Sequence, residues 1–185
     1  MTTIKNDPIT NAIHGGIKRG IQVTIENRCY GSATNLILSG IDTMAYLSMP
    51  ASQQDVKQKD FVAWAERYIK FPCKEQLTGL DLYGARCAML HTYGTRSKLS
   101  REGKCRMICY MDKGIPEIRS KPHLKDLVIV SVSALADAFF CGIDNFLVDL
   151  FSNKEKAAMA EERLTELMQE HNREDLITRR CSGRQ

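Results

Sequence analysis

Apolar positions recur along this chain mostly at the spacing of helices. Ile9, Ile13, Ile17, Ile21 and Ile25 return every four residues, a period that drifts slowly around a helix and paints one apolar stripe. Asp7 before Pro8 forms a helix start, and Gly15, Gly16 and Gly20 weaken the helix beyond it, so a break near Gly15-Gly16 is expected unless packing holds the segment. From Asn27 to Met49 the stripe strengthens through Tyr30, Ala33, Ile37, Ile41, Met44 and Leu47, with Asp42 set among them. That pattern predicts a core helix. A carboxylate there needs a partner, whether on a neighbouring helix or in a functional site. Pro50 ends the helix, and Ser52-Gln-Gln-Asp55 starts another through Phe61, Trp64, Ala65 and Tyr68 to about Ile69. After the break at Phe71-Pro72-Cys73, Thr78 and Asp81 form an approximate capping box for a further helix.

Beyond Tyr93-Gly94 the chain turns polar and basic. Met107 to Met111 and Leu127 to Val132 are short, β-branched or aromatic runs around Gly114 and Pro116, which reads as a small β-hairpin, although Val128 onward also fits the start of the next helix. Ala134 to Phe151 predicts a long core helix on Leu135, Phe139, Phe146 and Leu150, with Asp137, Asp144 and Asp149 facing outward. Lys154 to Glu170 carries Ala160, Leu164, Leu167 and Met168 on one face of a more polar helix. The expected architecture is mainly α: an up-and-down helical bundle forming one domain over residues 8–171. Residues 95–133 are a basic loop and hairpin insertion, and 172–185 a disordered basic tail.

A length of 185 residues suits one domain with a substantial core, and 7% aromatic residues argue against an aromatic-rich β-sandwich. The seven cysteines are odd in number and scattered, which predicts reduced thiols. With no secretory signal evident, a cytoplasmic protein is expected. The most apolar stretch, Leu127 to Phe140, is interrupted by serines and Asp137 and is too short for a bilayer span. Net charge is a mild +4, but its distribution is uneven. Arg96, Lys98, Arg101, Lys104, Arg106, Lys113, Arg119, Lys121 and Lys125 face only Glu102, Asp112 and Glu117 in one segment.

That segment comes after the helix holding the most chemically suggestive pair, Arg86 and His91. A permanent cation and the side chain that exchanges protons near neutral pH share an otherwise apolar stretch. Five residues turn through about 500°, so the two side chains point about 140° apart. They converge only if the helix ends or distorts near His91, or if a two-fold dimer supplies the other half of the site. Such a cleft suits a phosphodiester. Arg86 would grip a phosphate oxygen and stabilise developing charge, while His91 would take the 2′-hydroxyl proton or protonate the leaving 5′-oxygen. Arg96, Arg101 and Lys104 are the nearest cations for RNA backbone contacts. No metal ligand set and no cofactor motif is assigned.

Arg86-Cys-Ala-Met-Leu-His91 resembles the R-x4-H signature of the HEPN domain, a helical bundle whose active members are metal-independent endoribonucleases, many of them toxins or antiviral defence proteins. His91-Thr-Tyr93 resembles the R-x4-H-x-Y version of HEPN toxins, in which a nucleotidyltransferase antitoxin can modify the tyrosine. The resemblance implies a homodimer with a composite Arg86/His91 site, RNA as substrate, a 2′,3′-cyclic phosphate product and Tyr93 as a modification position. Active members commonly carry Asn or Asp after the arginine, where this chain has Cys87.

Two other readings stand beside this one. A HEPN-like module without catalysis would use the same cationic groove to bind nucleotide or RNA, or serve only as an interaction domain. Alternatively, Cys87 and His91, four residues apart, and Cys105 and Cys109 at the same spacing, would together supply the four ligands of a tetrahedral zinc.

Overall fold

The structure, a computed structural model, describes residues 9–50, 52–111, 119–121 and 124–168. The cap at Asp7-Pro8, Lys113 and the expected basic tail therefore lie outside the described residues. The isoleucine stripe forms a π-helix, Ile9–Lys18, continuous with helix α1, Arg19–Glu26. Gly15 and Gly16 fall inside the π-helical stretch rather than breaking the chain, and Ile13 and Ile21 are completely buried. Tertiary packing outweighs the weak local preference. The left-handed Arg28 (φ 58°) then turns the chain, its N–H donating to Ile25 O at 2.9 Å.

Helix α2, Tyr30–Ser48, is the hub of the molecule, packing against α1, α3 (Gln58–Tyr68), α4 (Gly79–Thr92), α6 (Val132–Phe151) and α7 (Lys154–Leu164). Ala33, Ile37, Leu38, Ile41, Met44 and Ala45 are wholly excluded from solvent, as a helix surrounded by neighbours requires. Close approach to α6 depends on Gly40. A Cβ there would lie 2.6 Å from Phe139 Cζ, and Phe139 is itself fully buried. Gly40→Ala is therefore expected to lower stability by about 1–2 kcal/mol, seen as a lower urea midpoint, although alanine is the better helix former.

The C-terminal end of α2 is closed by a group that its own sequence does not contain. Arg163 of α7, 8% exposed, donates from Nη1 to Tyr46 O (2.8 Å) and Met49 O, and from Nη2 to Pro50 O (2.9 Å) and Gln53 O (3.2 Å). One guanidinium thus gathers four carbonyls at and just beyond the helix end, of which those of Tyr46 and Pro50 also accept the backbone N–H groups of Met49 and Gln53. Its carbon also lies 5.2 Å from the centre of the Tyr46 ring, within reach of a cation–π attraction.

Helix α3 starts at Gln58, later than Ser52-Gln-Gln-Asp55 suggested, where the Lys57 N–H donates to Asp60 Oδ2 at 2.9 Å. The polar segment after α4 contains the four-residue helix α5, Lys98–Arg101, and then strands β1 (Met107–Met111), β2 (Arg119–Lys121) and β3 (Leu124–Ser131). The expected small β insertion is present, but β1 and β3 run parallel, Met107 opposite Leu127 through Met111 opposite Ser131. The hairpin instead joins β2 to β3, giving the order β1-β3-β2. The extra short strand reverses the chain once more, so β3 returns in the direction of β1. Val128 and Val130 are buried on this central strand, β1 packs on α4, and α6 begins directly after Ser131. No helix of the described residues is long and apolar enough to cross a membrane.

Candidate functional site

Helix α4 is anchored firmly at its first turn. Thr78 Oγ1 accepts from the Asp81 N–H (3.0 Å) and Asp81 Oδ2 accepts from the Thr78 N–H (2.9 Å), completing the expected capping box. Asp81, only 2% exposed, also binds Arg106, which precedes β1. The Arg106 backbone N–H donates to Oδ1 at 2.8 Å, and its Nε and Nη2 donate to Oδ2 at 3.0 and 2.7 Å. Arg106 further reaches Glu75 (2.6 Å) and Gln76 O (2.6 Å). Burial works to raise the Asp81 carboxyl, but the hydrogen bonds from Arg106 and Thr78 prevail and hold it below the ordinary carboxylate range. One cation of the basic segment thus ties the sheet insertion to α4.

The middle of α4 carries Arg86, whose Nε donates to Asp42 Oδ2 at 2.8 Å. Asp42 on α2 thereby finds the partner its surroundings demanded. The pair is half-buried, the side chains retaining 27% and 23% of their exposure. Burial opposes the guanidinium charge, yet the Asp42 hydrogen bond and charge outweigh it and raise the Arg86 pKa. Tyr83, one turn earlier, has its hydroxyl pKa raised by burial and then by the adjacent Cys87.

At its other end α4 stays helical through Thr92 and stops at Tyr93, which takes the left-handed conformation (φ 52°). The Tyr93 N–H donates to Met89 O at 2.9 Å and the Gly94 N–H to Ala88 O at 3.3 Å, closing the helix as a left-handed cap does. His91 sits in this last turn, exposed, with no hydrogen bond or ion pair among the described residues. Because the helix is unbroken between them, Arg86 and His91 leave it about 140° apart. A single chain does not bring them together.

The two contact points between α2 and α4 reveal a third group. Gly31 lies under the Tyr93 ring, where an added Cβ would overlap the hydroxyl, and Asp42 meets Arg86. The helices therefore run antiparallel here, and Asn35, four residues after Gly31 and seven before Asp42, falls on the same side of α2. Its Oδ1 is buried without a hydrogen-bond partner. A buried acceptor with no protein partner between the arginine and the helix end is what an ordered water satisfies.

The cations expected to contact RNA divide by environment. Arg96 and Arg101 are exposed and border a shallow cleft of about 460 Å³ with Ser100, Met107 and Asp126. Lys104 instead pairs with Glu102 at 2.8 Å, so a phosphate there would compete with a carboxylate. Lys104 in turn holds the Glu102 carboxyl below its ordinary value. Tyr93 is 62% exposed as a whole, but its hydroxyl end packs against Gly31 of α2. The zinc alternative does not assemble: among the described residues no three His, Cys, Asp or Glu side chains converge to hold a metal ion. Cys105 Sγ packs over Gly84 instead.

The sequence pattern does not single out Asn35, Arg106 or Arg163 as residues with a special part to play. Asn35 carries a faint signal, an amide on a strongly apolar helix. The other two have the look of ordinary surface cations. Comparison of the chain with protein-family models, with curated proteins and with solved structures found no match.

Proposed function

We propose that the protein is a metal-independent endoribonuclease of the HEPN type, working as a homodimer in which the α4 helices of two copies meet to complete the site. What carries this reading is the state of the two residues: an exposed, unpartnered imidazole in the last turn of α4, and a guanidinium five residues earlier held at a defined angle by Asp42 yet still open to solvent. His91 takes the proton of a ribose 2′-hydroxyl. The 2′-oxygen attacks phosphorus, the bond to the 5′-oxygen breaks, and that oxygen leaves with a proton from the second His91. Arg86 stabilises the charge gathering on the phosphoryl oxygens, and Arg96 and Arg101 guide the strand by its phosphates. The product ends are a 2′,3′-cyclic phosphate and a 5′-hydroxyl. A cytoplasmic toxin or antiviral defence role follows from the same resemblance, with an antitoxin or nucleotidyltransferase acting on Tyr93.

One observation favours the runner-up, a binding or interaction module without catalysis. Asp42 already neutralises Arg86, and a phosphate must compete with it. The two readings separate on incubating the purified protein with total RNA in the presence of a chelator. Cyclic phosphate ends that vanish in Arg86→Ala and in a still-folded His91→Ala support the nuclease. Retained RNA binding without any cleavage leaves the module.

A further inference from the structure

We infer that the cleft bordered by Arg96, Ser100, Arg101, Met107 and Asp126 holds a single ribonucleotide, and that Asp126 distinguishes RNA from DNA there by accepting from the ribose 2′-hydroxyl. The inference deepens the proposed function and rests on it for RNA as the ligand. At about 460 Å³ the cleft is of the size of small-molecule sites. Its two walls differ. Arg96, Ser100 and Arg101 come from α5 and the segment leading into it, whereas Met107 opens β1 and Asp126 lies near the start of β3, one residue before Leu127, the register partner of Met107. A ligand between the walls meets cations on one side, and a thioether and a carboxylate on the other.

The ligand follows from which of these groups are open. Ser100 is spent within its own turn, its Oγ accepting from the Ser97 N–H at 2.9 Å and donating to Ser97 O at 3.0 Å. Arg96, Arg101 and Asp126 are exposed, and their side chains make no hydrogen bond or ion pair among the described residues. The acid is thus the partner of neither arginine. Two guanidinium forks against one carboxylate leave the cleft net positive and suit a phosphate. Asp126 would repel that phosphate, so it faces an uncharged part of the ligand, and an ionised carboxylate, which only accepts, needs a donor there. In a nucleotide the sugar lies between phosphate and base. With the phosphate on the arginines and the base against Met107, whose sulfur is a favourable neighbour for an aromatic ring, the ribose falls to Asp126. The 2′-hydroxyl is the donor that RNA has and DNA lacks.

Adenosine 5′-monophosphate and its 2′-deoxy counterpart contain no internucleotide bond to cut, so their binding is read apart from whether the chain is a nuclease. In isothermal titration calorimetry the ribonucleotide is expected to bind with a Kd on the order of 100 µM, consistent with the affinity per atom of small ligands. The deoxynucleotide should bind about tenfold more weakly, the worth of one hydrogen bond to a charged acceptor. Asp126→Ala, a substitution at an exposed position, should bring the two nucleotides to equal affinity, and Arg101→Gln should weaken both by about tenfold. No saturable binding of the ribonucleotide would overturn the proposal, as would equal affinity for the two nucleotides in the unaltered protein. A ribose preference that survives in Asp126→Ala would also overturn it, because the hydroxyl would then be read elsewhere. Unchanged binding in Arg101→Gln would place the nucleotide outside this cleft.

Discussion

In His91→Ala, RNA cleavage is expected to fall by about 10²–10⁴-fold while the unfolding midpoint stays nearly unchanged. The rate loss is the usual worth of a positioned general acid or base. The small stability effect comes from the surroundings of His91, an exposed side chain in the last turn of α4 with no bond among the described residues. Alanine gains up to about 0.7 kcal/mol in helix preference, and any favourable interaction of an imidazolium with the helix C-terminus costs a similar amount to lose. Arg86→Ala is a less clean comparison, because it leaves the half-buried Asp42 without its cation. Single-turnover cleavage beside thermal unfolding separates the two effects. Unchanged cleavage in His91→Ala would remove the imidazole from the mechanism and leave a binding module.

A two-fold site also makes this variant informative in mixtures. Unaltered chains mixed with His91→Ala chains form heterodimers if the copies exchange, and a composite site then cleaves at a rate that is not the average of the two homodimers. A proportional average would point to sites complete within single chains, which the unbroken helix between Arg86 and His91 argues against.

The long helices were legible from their apolar positions, although the start of α3 and the short α5 were not. Thr78 and Asp81 are three residues apart, and they form the capping box that this spacing calls for. Asp42 was conspicuous for the right reason, as a carboxylate on a buried helix, and its partner turned out to be the arginine of the motif. Long-range pairing could not be read. The strand Arg119–Lys121 is too short for a periodic signal, and without it β1 and β3 look like the arms of one hairpin rather than parallel neighbours. Arg106 and Arg163 sit in polar sequence, as surface cations do. Only the fold shows that one faces a buried carboxylate and the other a helix end. Local chemistry is written in neighbouring residues, but the partner of a charge lies wherever the chain returns.

Arg106→Met should destabilise the protein by about 3 kcal/mol, the second large effect expected. Removing one member of a buried pair leaves the other charged and incompletely solvated, at a cost of about 3–5 kcal/mol. The lower end applies because Asp81 keeps the backbone N–H of Thr78 and that of residue 106 itself. For a chain of this length the midpoint of thermal unfolding should drop by roughly 6–12 °C. The pH dependence identifies the cause. In the unaltered protein burial raises the Asp81 pKa, but its hydrogen bonds, led by Arg106, bring the net value below normal. Its contribution is therefore complete above the unfolded carboxyl pKa of about 3.9 and is lost as pH falls through the lower folded value. Without the guanidinium, burial counts for more and the folded pKa moves up. The variant thus takes up its proton at higher pH than the parent, and the stability gap between them should narrow as the solution is acidified. Asp81→Asn combined with Arg106→Met should be less damaging than the sum of the two single changes, because the buried charge goes with its partner. A gap that is constant from neutral to acid pH would mean that Arg106 acts through packing of its stem and its bonds to Glu75 and Gln76, not by neutralising Asp81.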